Sequence, residues 1–296
     1  MRPDLALERL GGVARTETLL RLTSRARLRI ALRRGLVVRD NRGAYSLPGV
    51  AEALRAAGRL SGVLVEDSAA QYHGWELKHR PTVPCVAVPR NRKVDAGRRS
   101  GVLVRYVDLD PSDVGAHATG AGATVMDCAA RRPFDEALTV ADSALRHGAV
   151  TRGRLLQRAG AMPDRYRARC LRVAQHADAR AANPFESVLR AIALDVPGLH
   201  VEPQVWVDDI GRPDLLDRSR HLVIEAESFE FHGWRKALSR DCERYNAFSV
   251  GRWQVLRFSW EHVMFEPGYV REVLTAVVED RPLGRALGPL SGARSA

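Results

Sequence analysis

The sequence predicts an α+β chain built from several compact units, and three observations lead there. Its 296 residues exceed the usual size of one domain. Apolar spacing switches repeatedly between the helical period and the two-residue period of strands. Charge is shared unequally: residues 1–48 carry 11 Arg against 4 acids, whereas residues 183–280 carry 17 acids against 11 bases. The net charge of +11 comes mainly from arginine, whose planar fork suits phosphate and points to a polyanionic partner. No stretch approaches the roughly 18 apolar residues of a membrane span. The opening MRPDLALERL places acids where an export signal needs an apolar run. A membrane partner is therefore excluded and the cytoplasm is the expected compartment. Cys85, Cys128, Cys170 and Cys242 lack paired spacing, which argues against a zinc site or a disulfide framework.

Residues 1–48 read as three short helices and a β-ribbon. Leu5, Leu7 and Leu10 form one stripe, closed by Gly11 and Gly12; Val13 to Leu22 form a second. Thr23 or Ser24 supplies the capping oxygen for a third helix, Arg25 to Arg34, that ends at Gly35. On that helix Leu28 and Leu32 lie inward with Ile30 and Ala31 near them, while Arg25, Arg27, Arg29 and Arg33 face out. A hairpin follows, Leu36 to Arg39 and Ala44 to Leu47, with Arg42 at its tip. This order, with a basic third helix, is that of a winged helix-turn-helix binding DNA through those five arginines. A small helical domain with a solvated arginine face is the competing reading.

Residues 49–182 read as an α+β connector with a helical entry, alternating stretches at Pro84 to Pro89 and Val102 to Val107, and helices from about Ala121. Asp67, Ser68 and His73 lie in one helical patch without an oxyanion loop and read as structural. His73-Gly74 reads as a helix end capped by a left-handed glycine, and Trp75 as packed. The basic loop Arg90, Arg92, Lys93, Arg98 and Arg99 either extends a DNA footprint or is solvated.

The third unit spans 183–280, before a tail over 281–296. Asn183-Pro184 opens a helix with Glu186 in its first turn. Three strand-like runs follow, Val201 to Val207, Pro213 to Asp217 and His221 to Glu227, as an antiparallel meander. A turn over Arg218 to His221 sets Asp217 opposite Leu222, and hence Asp214 opposite Glu225. Like charges so placed destabilise a ladder unless something compensates them. Glu227 shares a face with Glu225, while Leu222, Ile224 and Ala226 point to the core on the other face. A divalent cation among three carboxylates is the economical explanation, and an exposed acidic face the plain one. The next helix alternates His232, Lys236, Arg240 and Arg244, available to phosphate, with an apolar stripe of Trp234, Leu238, Cys242 and Tyr245. Asp241 pairs with Arg244 or Arg240, or plays a direct role. Trp253 to Phe258 closes the sheet, and helices follow it.

The stretches GGVARTETLLRL, ALRRGLVVRD and GAYSLPG, and more loosely LVEDSAAQYHGW and TVMDCAARRPFDEALTVADSALRHGAVT, resemble AbiEi-type antitoxins of abortive-infection systems. From Glu186 onward, RPDLLD, HLVIEAESFEFH, RDCERYNAF and WQVLRFSWEHV resemble the Vsr-like branch of the PD-(D/E)xK nucleases over about residues 183–278. That likeness implies a restriction-endonuclease-like core, with a mixed sheet flanked by helices. It makes Asp214 and Glu225 metal ligands, puts Glu227 in the third motif position and assigns Glu186 to holding the metal or its water. The third position, usually Lys in the superfamily and Asp in this branch, is Glu here; His232, Lys236 or water activated by the metal alone supplies the base. Together the resemblances imply a DNA-binding, Mg²⁺- or Mn²⁺-dependent endonuclease or nickase. The alternative is an antitoxin that regulates its own transcription, partners a nucleotidyltransferase toxin, and carries a non-catalytic nuclease-like domain.

Overall fold

A computed structural model describes residues 1–10, 12–41, 44–227 and 234–283, with the side chains of residues 13, 15, 40, 41, 44, 51 and 234–240 outside that description. It is a mixed α and β structure dividing into two compact units, Met1–Pro184 and Phe185–Ala296. No helix among the described residues is long and apolar enough to cross a membrane.

The first unit starts with α1 (Pro3–Arg9), β1 (Val13–Arg15), α2 (Thr16–Leu20), α3 (Arg25–Arg33), β2 (Val38–Asn41) and β3 (Ala44–Ser46). The three strands form an antiparallel sheet in the order β1-β3-β2. The sequence reading assigned residues 13–22 to one helix; instead Val13–Arg15 pairs with β3 and only Thr16–Leu20 is helical. Ser24 caps α3 by accepting the Arg27 amide. Gly35, at φ +67°, closes it: its amide bonds to Leu32 and that of Leu36 to the Ala31 carbonyl, a Schellman end that favours glycine. Leu7, Leu19, Leu28, Ala31 and Val37 form the core beneath, each fully buried leucine contributing roughly 2 kcal/mol. Ile30 differs from expectation and is 42% exposed beside the arginines.

α4 (Pro48–Leu60) joins this core, through Val50, to the next one, through Ala53, Ala56 and Ala57. β4 (Val63–Leu64), β5 (Cys85–Val88) and β6 (Leu103–Tyr106) make a second sheet, β4 antiparallel and β6 parallel to β5. α5 (Glu66–Tyr72) ends at His73, with Gly74 in the left-handed region and Trp75 buried at 4% exposure. Ser68 accepts the Cys85 amide, Asp67 pairs with Arg132, and His73 stacks on Trp75, so all three have structural partners. In the basic loop, Arg92 holds the Leu60 and Ser61 carbonyls at the end of α4. The sequence did not disclose Glu66, which is fully buried at φ +53° and ion-paired to Arg105, Arg131 and Arg132. α6 (Ala121–Arg131), α7 (Phe134–Arg146), α8 (Arg152–Gly160) and α9 (Asp164–His176) enclose an alanine-rich core with Val125, Val140 and Leu155.

In the second unit α10 (Pro184–Leu194) precedes β7 (Glu202–Pro203), β8 (Leu215–Asp217), β9 (Leu222–Glu227), α11 (Trp234–Val250), β10 (Gln254–Ser259), α12 (Trp260–Phe265) and α13 (Pro267–Val278). The sheet order is β10-β9-β8-β7, antiparallel throughout except that β10 runs parallel to β9. Both faces are packed. Leu215, Leu222, Ile224 and Phe258 meet α10 and α13 residues on one side, and Leu216 and Val223 meet Phe248 of α11 on the other. The expectation that the acid-bearing face was free of core is therefore corrected: Leu216 and Val223 pack against Phe248 at one end of it, and the acids occupy the other.

Candidate active site

The register of β8 and β9 is set by the turn that joins them. Buried Asp217 accepts the Ser219 hydroxyl and the Arg220 amide across the turn, and the His200 amide with its other oxygen. Burial alone would raise its pKa, but these hydrogen bonds hold it below the ordinary carboxylate range. The anchored turn pairs Asp217 with Leu222 and Leu215 with Ile224. Asp214, the residue just before β8, brings its carboxyl beside that of Glu225. Asp214 is fixed there, since one carboxylate oxygen accepts the Ala226 amide at 2.8 Å.

Gln204 completes the junction. Its backbone amide bonds to the Asp214 carbonyl, its φ is +55°, and its side-chain amide donates to Asp214 Oδ1 at 2.9 Å and to Glu186 Oε2 at 3.0 Å. The carboxylate of α10 is thereby tied to the β8–β9 pair. Glu225 is 3% exposed. Its Oε1 has no hydrogen-bond partner; Arg244 Nη1 lies 3.1 Å away but outside hydrogen-bond alignment, so charge is balanced while the lone pairs are unmatched. Burial, then the neighbouring Asp214 charge and the hydrogen bond between the two carboxyls, push Glu225 up to about 8 against the opposing pull of Arg244. Burial also raises Asp214, although the Ala226 amide and the bond from Glu225 restrain it.

Glu227 is on the same face but has a different environment. Tyr245 donates its hydroxyl to Oε1, and Arg257 Nε donates to the same oxygen at 2.9 Å with its guanidinium stacked on the Tyr245 ring. Despite burial, these two bonds hold Glu227 below the ordinary range, while burial and the Glu227 contact push the Tyr245 phenol upward. Among the described residues no three His, Cys, Asp or Glu side chains group closely enough to hold a metal ion. The donor set that does form is the Asp214–Glu225 pair, with hard carboxylate oxygens, one of them buried and unmatched. That chemistry fits a divalent cation, with Glu186 and Gln204 adjoining.

His232 and Arg42 lie outside the described residues, as do the side chains of Lys236 and Arg240. Arg244, expected on the outward stripe of α11, instead turns toward Glu225. The apolar phase of the helix is the reason: Tyr245 and Phe248 pack inward while Cys242 is exposed, which rotates Arg244 to the sheet side. Sequence reasoning missed Gln204, Tyr245 as a hydroxyl donor, and Arg257. In β10, Arg257 pairs directly with Glu225, so alternation in that strand was the signal available. In α3, Arg25, Arg27, Arg29 and Arg33 are all exposed, and Arg27 also donates to the Met1 carbonyl at 3.4 Å.

Neither family models nor curated proteins give a match to this chain. Among solved structures, the crystal structure of the RV2827C protein from Mycobacterium tuberculosis matches with 18% identity over 69% of this chain and 83% of that chain, at a TM-score of 0.32. A likeness that remote carries no argument about fold or function.

Proposed function

We propose that the protein binds DNA through its first unit and hydrolyses a phosphodiester bond, with Mg²⁺ or Mn²⁺, at the Asp214–Glu225 pair. The observation that carries this reading is the juxtaposition of two carboxyls, half-buried Asp214 and buried Glu225, with Arg244 as the guanidinium facing Glu225. A fold bears the cost of such a pair only with compensation. Asp214 and Glu225 would hold the ion directly, with Glu186 oriented through Gln204; when bound, the ion neutralises charge on the scissile phosphate and acidifies the attacking water. Glu227, kept ionised by Arg257 and Tyr245, fixes the end of β9 and adds negative potential. His232 and Lys236 follow β9 in sequence and are the candidates for a protein base.

The first six elements support a winged helix-turn-helix reading: three helices, with an antiparallel sheet ordered β1-β3-β2. On that reading α3 enters the major groove, with Arg25, Arg29 and Arg33 toward phosphate and Arg27 braced on the Met1 carbonyl. The resemblance to the Vsr-like nucleases and AbiEi-type antitoxins is consistent with both halves of the proposal.

A second reading rests on the first unit, whose stretches resemble AbiEi-type antitoxins and whose three helices and β1-β3-β2 sheet suit a DNA-bound regulator. On it the second unit is non-catalytic, and the protein is a DNA-bound autoregulator of the antitoxin type with a nucleotidyltransferase toxin as partner. The test is strand cleavage of supercoiled, linear and single-stranded DNA with and without Mg²⁺. Metal-dependent cleavage that disappears in Asp214→Asn, with DNA affinity retained, supports the nuclease. Cleavage that survives the substitution rejects the site, and no cleavage by the wild type with Mg²⁺, or with Mn²⁺ in its place, favours the autoregulator.

A further inference from the structure

We propose that Arg244 is a positioning residue that serves as the resident counter-ion of the Asp214–Glu225 pair, so that a divalent cation binds there only when this guanidinium swings off Glu225. The inference rests on the metal reading above and adds a determinant of its affinity. Arg244 Nη1 stands 3.1 Å from Glu225 Oε1, and the side chains are 29% and 5% exposed. The carboxylate is therefore sealed while the arginine reaches it from the solvent side. The contact lacks hydrogen-bond alignment, so what holds it is charge, which a divalent ion supplies more strongly. An arginine does not vacate by losing its proton; it has to move.

Places to go are already present. Arg244 Nη2 donates to the Tyr245 hydroxyl at 3.3 Å, and the guanidinium carbon lies 5.2 Å from that ring. Asp241 stands one helical turn earlier on α11. A guanidinium released from Glu225 thus stays at the rim of the site between Tyr245 and Asp241, where it faces an incoming anion.

The test is calorimetric titration of Mn²⁺ into the full chain, comparing wild type with Arg244→Met and Arg244→Lys. Arg244→Met should bind at least about tenfold more tightly, the factor for roughly 1.4 kcal/mol of competing charge, and Arg244→Lys should stay near wild type. If Arg244→Met fails to show a folded circular dichroism spectrum, Arg244→Gln carries the same comparison. Equal or weaker Mn²⁺ binding by the uncharged variant overturns the counter-ion role while leaving the metal site in place. An Arg244→Lys as tight as Arg244→Met overturns it too. Absence of Mn²⁺ binding by every folded variant, wild type included, removes the metal reading and this inference with it.

Discussion

Replacing Glu225 with Gln preserves the shape of the side chain and removes its ionisation, which isolates what the buried carboxyl does to stability. The folded protein holds the Glu225 proton up to about 8, whereas the ordinary value is 4.5. Between those limits the folded state binds about one proton more than the unfolded chain. Stability then falls with rising pH across this interval, by on the order of a few kcal/mol. The contribution is fully present below the ordinary glutamate range and lost as pH rises through the folded value. Asp214 shares the proton, so the slope belongs to the pair. Glu225→Gln should lack most of this slope and overtake the wild type in stability as pH increases. Urea unfolding followed by tryptophan fluorescence reads the right unit, since four of the five tryptophans lie beyond residue 184. Parallel stability curves for the two proteins from about pH 5 to 8 would refute the burial of an ionisable pair at this site.

Asp217→Ala should cost about 2–3 kcal/mol, because it strips the acceptor from the Ser219 hydroxyl and the His200 and Arg220 amides. Its wild-type contribution runs opposite to that of Glu225: present above the ordinary value of 3.8 and lost as pH falls through the depressed one, which acid titration of the two proteins checks. Glu66→Gln leaves Arg105, Arg131 and Arg132 without their shared counter-charge and should lower the stability of the first unit by about 3 kcal/mol, read by thermal unfolding. Arg29→Ala and Arg33→Ala should each reduce the slope of log affinity against log salt by about 1; anisotropy with a labelled duplex measures it, and an unchanged slope counts against α3 docking. Gln204→Leu should lower Mg²⁺-dependent cleavage by roughly 10- to 100-fold and cost about 1–3 kcal/mol in urea unfolding, since it removes the donor that Glu186 and Asp214 share.

The β8–β9 register was legible from sequence because a four-residue turn bounded by alternating apolar residues admits one closure, and pairing Asp217 with Leu222 brings Asp214 to Glu225. The helix opening at Pro184, the cap at Ser24 and the glycine ends at Gly35 and Gly74 were legible for the same kind of reason: each is a local rule with a backbone cause. Longer-range geometry was not. The apolar phase of α11 was misread because Cys242 looked buried, whereas Phe248, three residues past Tyr245, sets which side faces the sheet. Gln204 lies just past the end of β7, in a left-handed conformation that amide composition does not announce. Val13–Arg15 forms a strand only because β3 offers it a partner, and the burial of Glu66 depends on arginines between 39 and 66 residues away in the chain.

The Asp214–Glu225 pair is the proposed seat of a divalent cation. Crystals of the full chain grown or soaked with Mn²⁺, measured for anomalous scattering, address it directly. A single strong peak within coordination distance of carboxylate oxygens of both Asp214 and Glu225, with Arg244 displaced, is the expected result. A map with no peak at that pair, at Mn²⁺ concentrations that support cleavage in solution, contradicts it.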